Sequence, residues 1–153
     1  VEVLVEPGRF LVADSGVLLT RVLYRKHSGG KEIVITDAGM NDFIRPSLYE
    51  SRHSIESVHS TAEPSLTANI VGPVCESGDF FATDRVITDV SPGQLLALRT
   101  VGAYGFSMAS NYNSRPRPAE VLVDGERFAV ITQRESDADL TRRETTEPHW
   151  MEA

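Results

Sequence analysis

Lysine is almost missing from this chain. Lys26 and Lys31 are the only two among fifteen basic residues, set against twenty-two acidic ones, and the formal net charge is −7. The basic residues are scattered, so no clustered face exists to neutralise a phosphate backbone, which argues against a nucleic-acid partner. Small anions need only one or two well-placed arginines and stay open as ligands. Cys75 is the single cysteine. No intrachain disulfide can form, and a lone thiol suits a reducing cytoplasm, the expected compartment. No apolar run approaches the roughly 18–20 residues that cross a bilayer, and no basic-then-apolar signal opens the chain. No membrane partner is expected. His27, His53, His59 and His149 lack HxH or HxxxH spacing and a nearby cysteine, so no metal site is expected either. A nucleophile elbow, a phosphate loop and a dinucleotide fingerprint are also absent. There is no initiator Met, and the chain begins inside the apolar run Val1-Glu2-Val3-Leu4-Val5. It is expected to be a piece of a longer protein.

What is present is an ordinary globular composition, 41% hydrophobic and 24% charged over 153 residues, which is enough for one domain with a real core. Val1–Val5 reads as a short strand stopped by Glu6-Pro7-Gly8-Arg9. Val17–Tyr24 and Glu32–Asp37 flank Ser28-Gly29-Gly30 and read as a hairpin. Residues 41–51 predict short helical turns around Pro46. Further strands are expected over His53–His59, Leu66–Val71, Asp84–Thr88, Leu95–Gly102, Glu120–Val123 and Arg127–Gln133. The last two flank Asp124-Gly125 as the hairpin turn. After Glu135 the chain turns polar, with a terminal helix or frayed tail over Asp139–Glu147. Short strands at such spacing predict a mainly β fold, a barrel or sandwich with a few short helices.

Five local patterns can carry chemistry. Glu6-Pro7-Gly8-Arg9 lets backbone approach a phosphate closely, with an Arg to pair with phosphate or carboxylate; a plain surface turn is equally compatible. Arg45 and Tyr49 stand four residues apart, on one face if helical, and both donate to a carboxylate. An exposed Arg beside a half-buried Tyr is their ordinary structural reading. Gly72-Pro73-Val74-Cys75-Glu76-Ser77-Gly78-Asp79 forces an irregular loop in which a thiol and a carboxylate offer a proton donor and an ammonium anchor. An inert cysteine is the alternative. Gly102-Ala103-Tyr104-Gly105 frees a ring to lie against a ligand, or places a core tyrosine near a bulge. Asn111 to Pro118, turn-rich and bounded by prolines, reads as a structural or interface loop.

In this order, and together with Thr36-Asp37-Ala38-Gly39-Met40-Asn41-Asp42 and Arg117-Pro118-Ala119-Glu120-Val121, these motifs resemble the fold-type III pyridoxal-phosphate-dependent decarboxylases, most closely the diaminopimelate decarboxylase family. The resemblance runs from Val1 to about Gln133. It implies a cofactor-bearing TIM-type barrel followed by an alanine-racemase-like C-terminal β-barrel domain. On that resemblance residues 1–9 end the last barrel strand and form the cofactor turn, 10–135 are the β-barrel domain, and 136–153 are a polar tail. It further implies that Glu6, Pro7, Gly8 and Arg9 touch the phosphate of pyridoxal 5′-phosphate, with Arg9 also reaching a substrate carboxylate. Arg45 and Tyr49 would bind the distal carboxylate of meso-diaminopimelate, and Tyr104 would contact cofactor and substrate. Cys75 would be the proton donor, delivered across a homodimer interface, with Glu76 holding the distal ammonium. Related ornithine enzymes carry Cys-Asp where this chain has Cys75-Glu76. An Arg45–Tyr49 clamp has no use in them, and an unpaired buried Arg is costly.

The departure from the family is the lysine that would anchor the cofactor. Lys26 and Lys31 flank a glycine turn instead of ending a barrel strand, so the chain alone is expected to be inactive. A decarboxylase of the same fold acting on another amino acid or carboxynorspermidine is the alternative enzyme. A non-catalytic β-barrel module for dimerisation or binding is the alternative outside enzymes.

Overall fold

The computed structural model describes residues 1–59 and 65–151. Its main body is a six-stranded sheet built from β1 (Leu18–Ser28), β2 (Lys31–Thr36), β3 (Ile55–Ser57), β4 (Leu66–Val71), β5 (Phe80–Ile87) and β6 (Leu95–Leu98). The strand order is β3-β6-β1-β2-β4-β5. Every pairing is antiparallel except β2 with β4, which is parallel. The long β1 serves two neighbours, pairing Leu18–Arg21 with β6 and Val22–Ser28 with β2, with an irregularity between Val22 and Tyr24. Such a break bends a strand and lets one sheet curl. The outer strands β3 and β5 come together, and the Arg85 guanidinium on β5 donates to the His53 carbonyl at 2.8 Å. The result is a nearly closed, barrel-like β domain, as the strand count and spacing predict.

Alternation explains the interior. In β4, Leu66, Ala68 and Ile70 are buried while Thr67 is exposed, the period-2 pattern of a half-buried strand. Val22, Val34, Phe43, Ile70, Val90, Leu96 and Leu98 are among the most deeply buried apolar side chains. At about 25 cal/mol per Å² of apolar surface, each contributes roughly 1.5–3 kcal/mol of burial. His53 belongs to this core. Its ring meets Phe43 edge-on at 4.7 Å and its Nδ1 lies 3.0 Å from the Arg99 carbonyl. Burial pushes its pKa down, as expected for a satisfied histidine.

Five sequence expectations are corrected. Val1–Val5 forms no strand; a strand exists through a ladder partner, and this sheet gives residues 1–5 none. Chain from Gly8 to Val12 instead forms one helical turn, α1, which buries none of its residues. The strand expected at Asp84–Thr88 begins four residues earlier, and its burial alternation is broken, with Phe81 and Ala82 both buried and Thr83 and Asp84 both exposed; Asp84 takes φ 45°. The strand expected through Gly102 ends at Leu98. At Gly102 a Cβ would stand 2.0 Å from the Val12 carbonyl oxygen, so this stretch packs against the N-terminal segment. In the separate hairpin of β7 (Glu120–Asp124) and β8 (Arg127–Thr132), Asp124 pairs with Arg127. The turn is therefore Gly125-Glu126, one residue later than expected, with φ 60° at Gly125. The tail helix is short, α3 (Asp137–Thr141), held by a reciprocal cap between Ser136 and Asp139. No helix among the described residues is long and apolar enough to cross a membrane.

Candidate functional site

Pro46 at the start of α2 (Arg45–Tyr49) presets φ for one helical turn, and Glu50 ends it with φ 54°. That turn sets Arg45 and Tyr49 on one face, and the guanidinium carbon of Arg45 lies 5.2 Å from the Tyr49 ring centroid. A second ring arrives from far along the chain. Tyr104 stands 5.4 Å from the same guanidinium, and its own backbone adopts φ 58°. A bulky residue with positive φ is uncommon and marks a position held by its surroundings. Tyr104, more than the glycines beside it, carries the unusual conformation. Gly8 completes the group, because a Cβ there would be 3.3 Å from Tyr104 Oη. Tyr49 and Tyr104 remain 58% and 47% exposed, so both rings keep an open face. Arg45 is half-buried and bears a forked cation between them. This cluster can receive an anion bearing two oxygens. Glu6, Pro7 and Arg9 are exposed at the same end of the chain as Gly8.

Cys75 and Glu76 form a second, separate cluster. The loop joining β4 to β5 exposes both side chains. Glu76 is held at each oxygen: Gly78 N–H donates to Oε1 at 3.1 Å and Tyr112 Oη to Oε2 at 3.4 Å. Among the described contacts none joins Cys75 or Glu76 to Arg45, Tyr49 or Tyr104. The link is indirect, through α2, since Ser47 Oγ donates to the Gly78 carbonyl.

Three residues went unassigned in the sequence. Asp79 is buried beneath the Cys75 loop and accepts from Met40 N–H and Val74 N–H at 2.7 and 2.6 Å. Arg115 ties the 106–116 segment to the turn after β2, donating to Asn41 Oδ1 at 3.0 Å and to the Asp37 carbonyl at 2.6 Å. Tyr112 meets Glu76 from that same segment, so the loop read as structural or interfacial also reaches the site. Apart from the local Val74–Asp79 bond, each contact joins positions more than thirty residues apart, and no local spacing announces it. Behind them Asp42 accepts from Gly39 N–H at 2.8 Å, and burial pushes its carboxyl up. Arg117 and Glu135 lock the far end of the segment at 2.6 Å; the hydrogen bonds from Arg117 bring the Glu135 carboxyl down to about 2. Lys26 and Lys31 stay on the β1–β2 hairpin, where Lys31 Nζ pairs with Asp84 at 3.0 Å. No group of His, Cys, Asp or Glu among the described residues is arranged to hold a metal.

Comparison with known proteins agrees with this architecture. The family described as pyridoxal-dependent decarboxylase, C-terminal sheet domain, matches residues 10–102. Diaminopimelate decarboxylase of Neisseria meningitidis serogroup B is 53% identical over 135 residues, covering 88% of this chain and 32% of that protein. The structure of diaminopimelate decarboxylase from Helicobacter pylori complexed with L-lysine superposes with TM-score 0.82 at 50% identity, covering 90% of this chain and 34% of that one. The M. jannaschii diaminopimelate decarboxylase structure gives TM-score 0.87 at 42% identity, with 94% and 33% coverage. The chain thus spans about a third of the length of the relatives it matches. It belongs to the pyridoxal-dependent decarboxylases, as their C-terminal sheet domain.

Proposed function

We propose that this chain is the C-terminal third of a diaminopimelate decarboxylase, a homodimeric enzyme that converts meso-diaminopimelate to L-lysine and carbon dioxide in the cytoplasm. The observation that carries the reading is the Arg45 guanidinium set between the open-faced rings of Tyr49 and Tyr104. A decarboxylase for ornithine or lysine has no distal carboxylate to use it.

The residues present fit pyridoxal 5′-phosphate on its phosphate side. Bare backbone at Gly8 stands against Tyr104 Oη, two hydrogen-bonding groups brought together at one turn, and Arg9 follows in α1 to pair with an anionic group. Glu6 and Pro7 shape the same turn. The anchoring lysine is expected from the remaining two-thirds of the enzyme. When bound, the cofactor supplies an electron sink for the pair left as the α-carboxylate departs.

This chain's residues do the rest. Arg45 and Tyr49 orient the substrate by its distal carboxylate, and Arg9 and Tyr104 steady the reacting end. Cys75 Sγ carries the proton that replaces carbon dioxide at the α-carbon, and Glu76 accepts the distal ammonium. Cys75 and Glu76 share no described contact with the Arg45 cluster, which favours their serving the neighbouring subunit's site.

The test is substrate profiling of the full-length protein, measuring carbon dioxide release from meso-diaminopimelate, lysine, ornithine and carboxynorspermidine. Diaminopimelate is expected to give the highest kcat/KM. A higher value for any other of these would overturn the assignment.

A further inference from the structure

The loop bearing Cys75 is built around a buried carboxylate. Asp79 is 5% exposed, yet both of its carboxylate oxygens are occupied by backbone. Oδ2 accepts from Val74 N–H at 2.6 Å, one residue before the thiol. Oδ1 accepts from Met40 N–H at 2.7 Å, on the turn that follows β2. The backbone closes the same ring, since Gly72 N–H donates to the Asp79 carbonyl at 3.1 Å and Asp79 N–H to the Glu76 carbonyl at 3.1 Å. Fit around this side chain is close. A Cβ at Gly72 would lie 2.4 Å from each carboxylate oxygen and 2.5 Å from Gly39 Cα. Burial pushes the Asp79 carboxyl up against the pull of its two amides, so placing it here carries a desolvation cost. Asparagine is nearly isosteric but has one acceptor where two amides need two, and its NH₂ would face an N–H.

We propose that Asp79 is a positioning residue for Cys75, clamping Val74 and Met40 so that the thiol keeps a fixed direction while Asp79 itself touches no reacting atom. This rests on the reading of Cys75 as proton donor. A staple that only stabilised the fold would weaken the enzyme whether or not the thiol were present. A positioning residue loses its effect once the thiol is gone.

The experiment is a double-mutant cycle on the full-length enzyme, measuring kcat for lysine formation from diaminopimelate in wild type, Asp79→Asn, Cys75→Ala and the double variant. Asp79→Asn is expected to lower kcat on the order of 10- to 100-fold, the scale of a misplacement of about 1 Å. It should also raise the solvent deuterium isotope effect on kcat. In the Cys75→Ala background the same substitution should change kcat by less than about twofold. An undiminished effect in that background would overturn the positioning role and leave the proton-donor reading intact. So would an Asp79→Asn enzyme as fast as wild type. A Cys75→Ala enzyme as fast as wild type removes the proton-donor reading and the positioning role with it. If Asp79→Asn does not accumulate folded, Gly39→Ala serves in its place. Its methyl would stand 3.1 Å from Asp79 Oδ1, Pro73 Cδ and Val74 Cγ2 alike, displacing the carboxylate together with the loop it clamps, and the same cycle reads whether that effect needs the thiol.

Discussion

Replacing Arg45 by alanine should change substrate choice more than it changes catalysis. The guanidinium lies 5.2 and 5.4 Å from two aromatic centroids, and each such contact contributes about 0.5–1 kcal/mol at a partly exposed site. Those contacts hold the fork in place whether or not substrate is bound, so their loss falls on every substrate alike. The selective part is the pairing with a distal carboxylate. Removing one partner of a desolvated charge pair costs about 2–5 kcal/mol. Tyr49 and Tyr104 are about half exposed, so the low end applies. About 2 kcal/mol corresponds to roughly 30-fold in kcat/KM for diaminopimelate. Lysine lacks the distal carboxylate and should lose less than about threefold. Arg45→Lys keeps the charge without the fork and should fall between, at about tenfold for diaminopimelate. The assay is the ratio of kcat/KM for diaminopimelate to that for lysine, in the full-length enzyme and each variant. An unchanged ratio in Arg45→Ala would refute the assignment of Arg45 to the distal carboxylate, whatever happens to the absolute rates.

Two further outcomes are expected. Full-length Cys75→Ala, far slower than wild type, and a variant lacking the cofactor-anchoring lysine should recover about a quarter of wild-type activity when mixed, because half the molecules are then heterodimers with one of two shared sites intact; no recovery in verified heterodimers would count against sharing. The Glu135 carboxyl, held at about 2 by Arg117 against an ordinary 4.5, is depressed in the folded state. It therefore stabilises fully above pH 4.5 and loses that contribution as pH falls toward 2. Urea unfolding should find wild type more stable than Glu135→Gln at pH 6 and the two converging as pH approaches 2; a pH-independent gap would show that the Arg117 pair is not its source.

Local pattern made most strands legible. Leu66–Val71 alternates cleanly and was readable to the residue, and the Ser28-Gly29-Gly30 turn announced its hairpin. Phe80–Thr83 was not readable as strand, because it leaves an irregular loop and has no alternation, with Phe81 and Ala82 both buried, before Asp84 takes φ 45°. Val1–Val5 has strand composition and no partner within this chain's sheet. The site divides the same way. Arg45 and Tyr49 are joined by helical spacing, which a sequence displays, whereas Tyr104 joins them only through the fold. Cys75 and Glu76 stood out by chemistry, and Tyr112, which touches Glu76, lay in a loop that gave no such sign.

The turn after β2 explains why the two clusters can be separate yet fixed relative to one another. It carries no catalytic assignment, yet its residues face four directions. Asp37 Oδ1 accepts from Thr20 Oγ1 and Arg21 N–H on β1, both at 2.7 Å. Met40 N–H holds Asp79 under the Cys75 loop. The Asn41 carbonyl takes Ser110 N–H at 2.8 Å and its side chain takes Arg115, fixing the segment that follows Tyr104. Asp42 closes the turn on Gly39 N–H. Both site loops are thereby referred to one turn on the barrel through hydrogen bonds that are largely part-buried. Apolar packing would hold such loops in place but leave their direction free. Hydrogen bonds are directional, and on the proposed reading of Cys75 as proton donor its thiol needs direction more than it needs affinity.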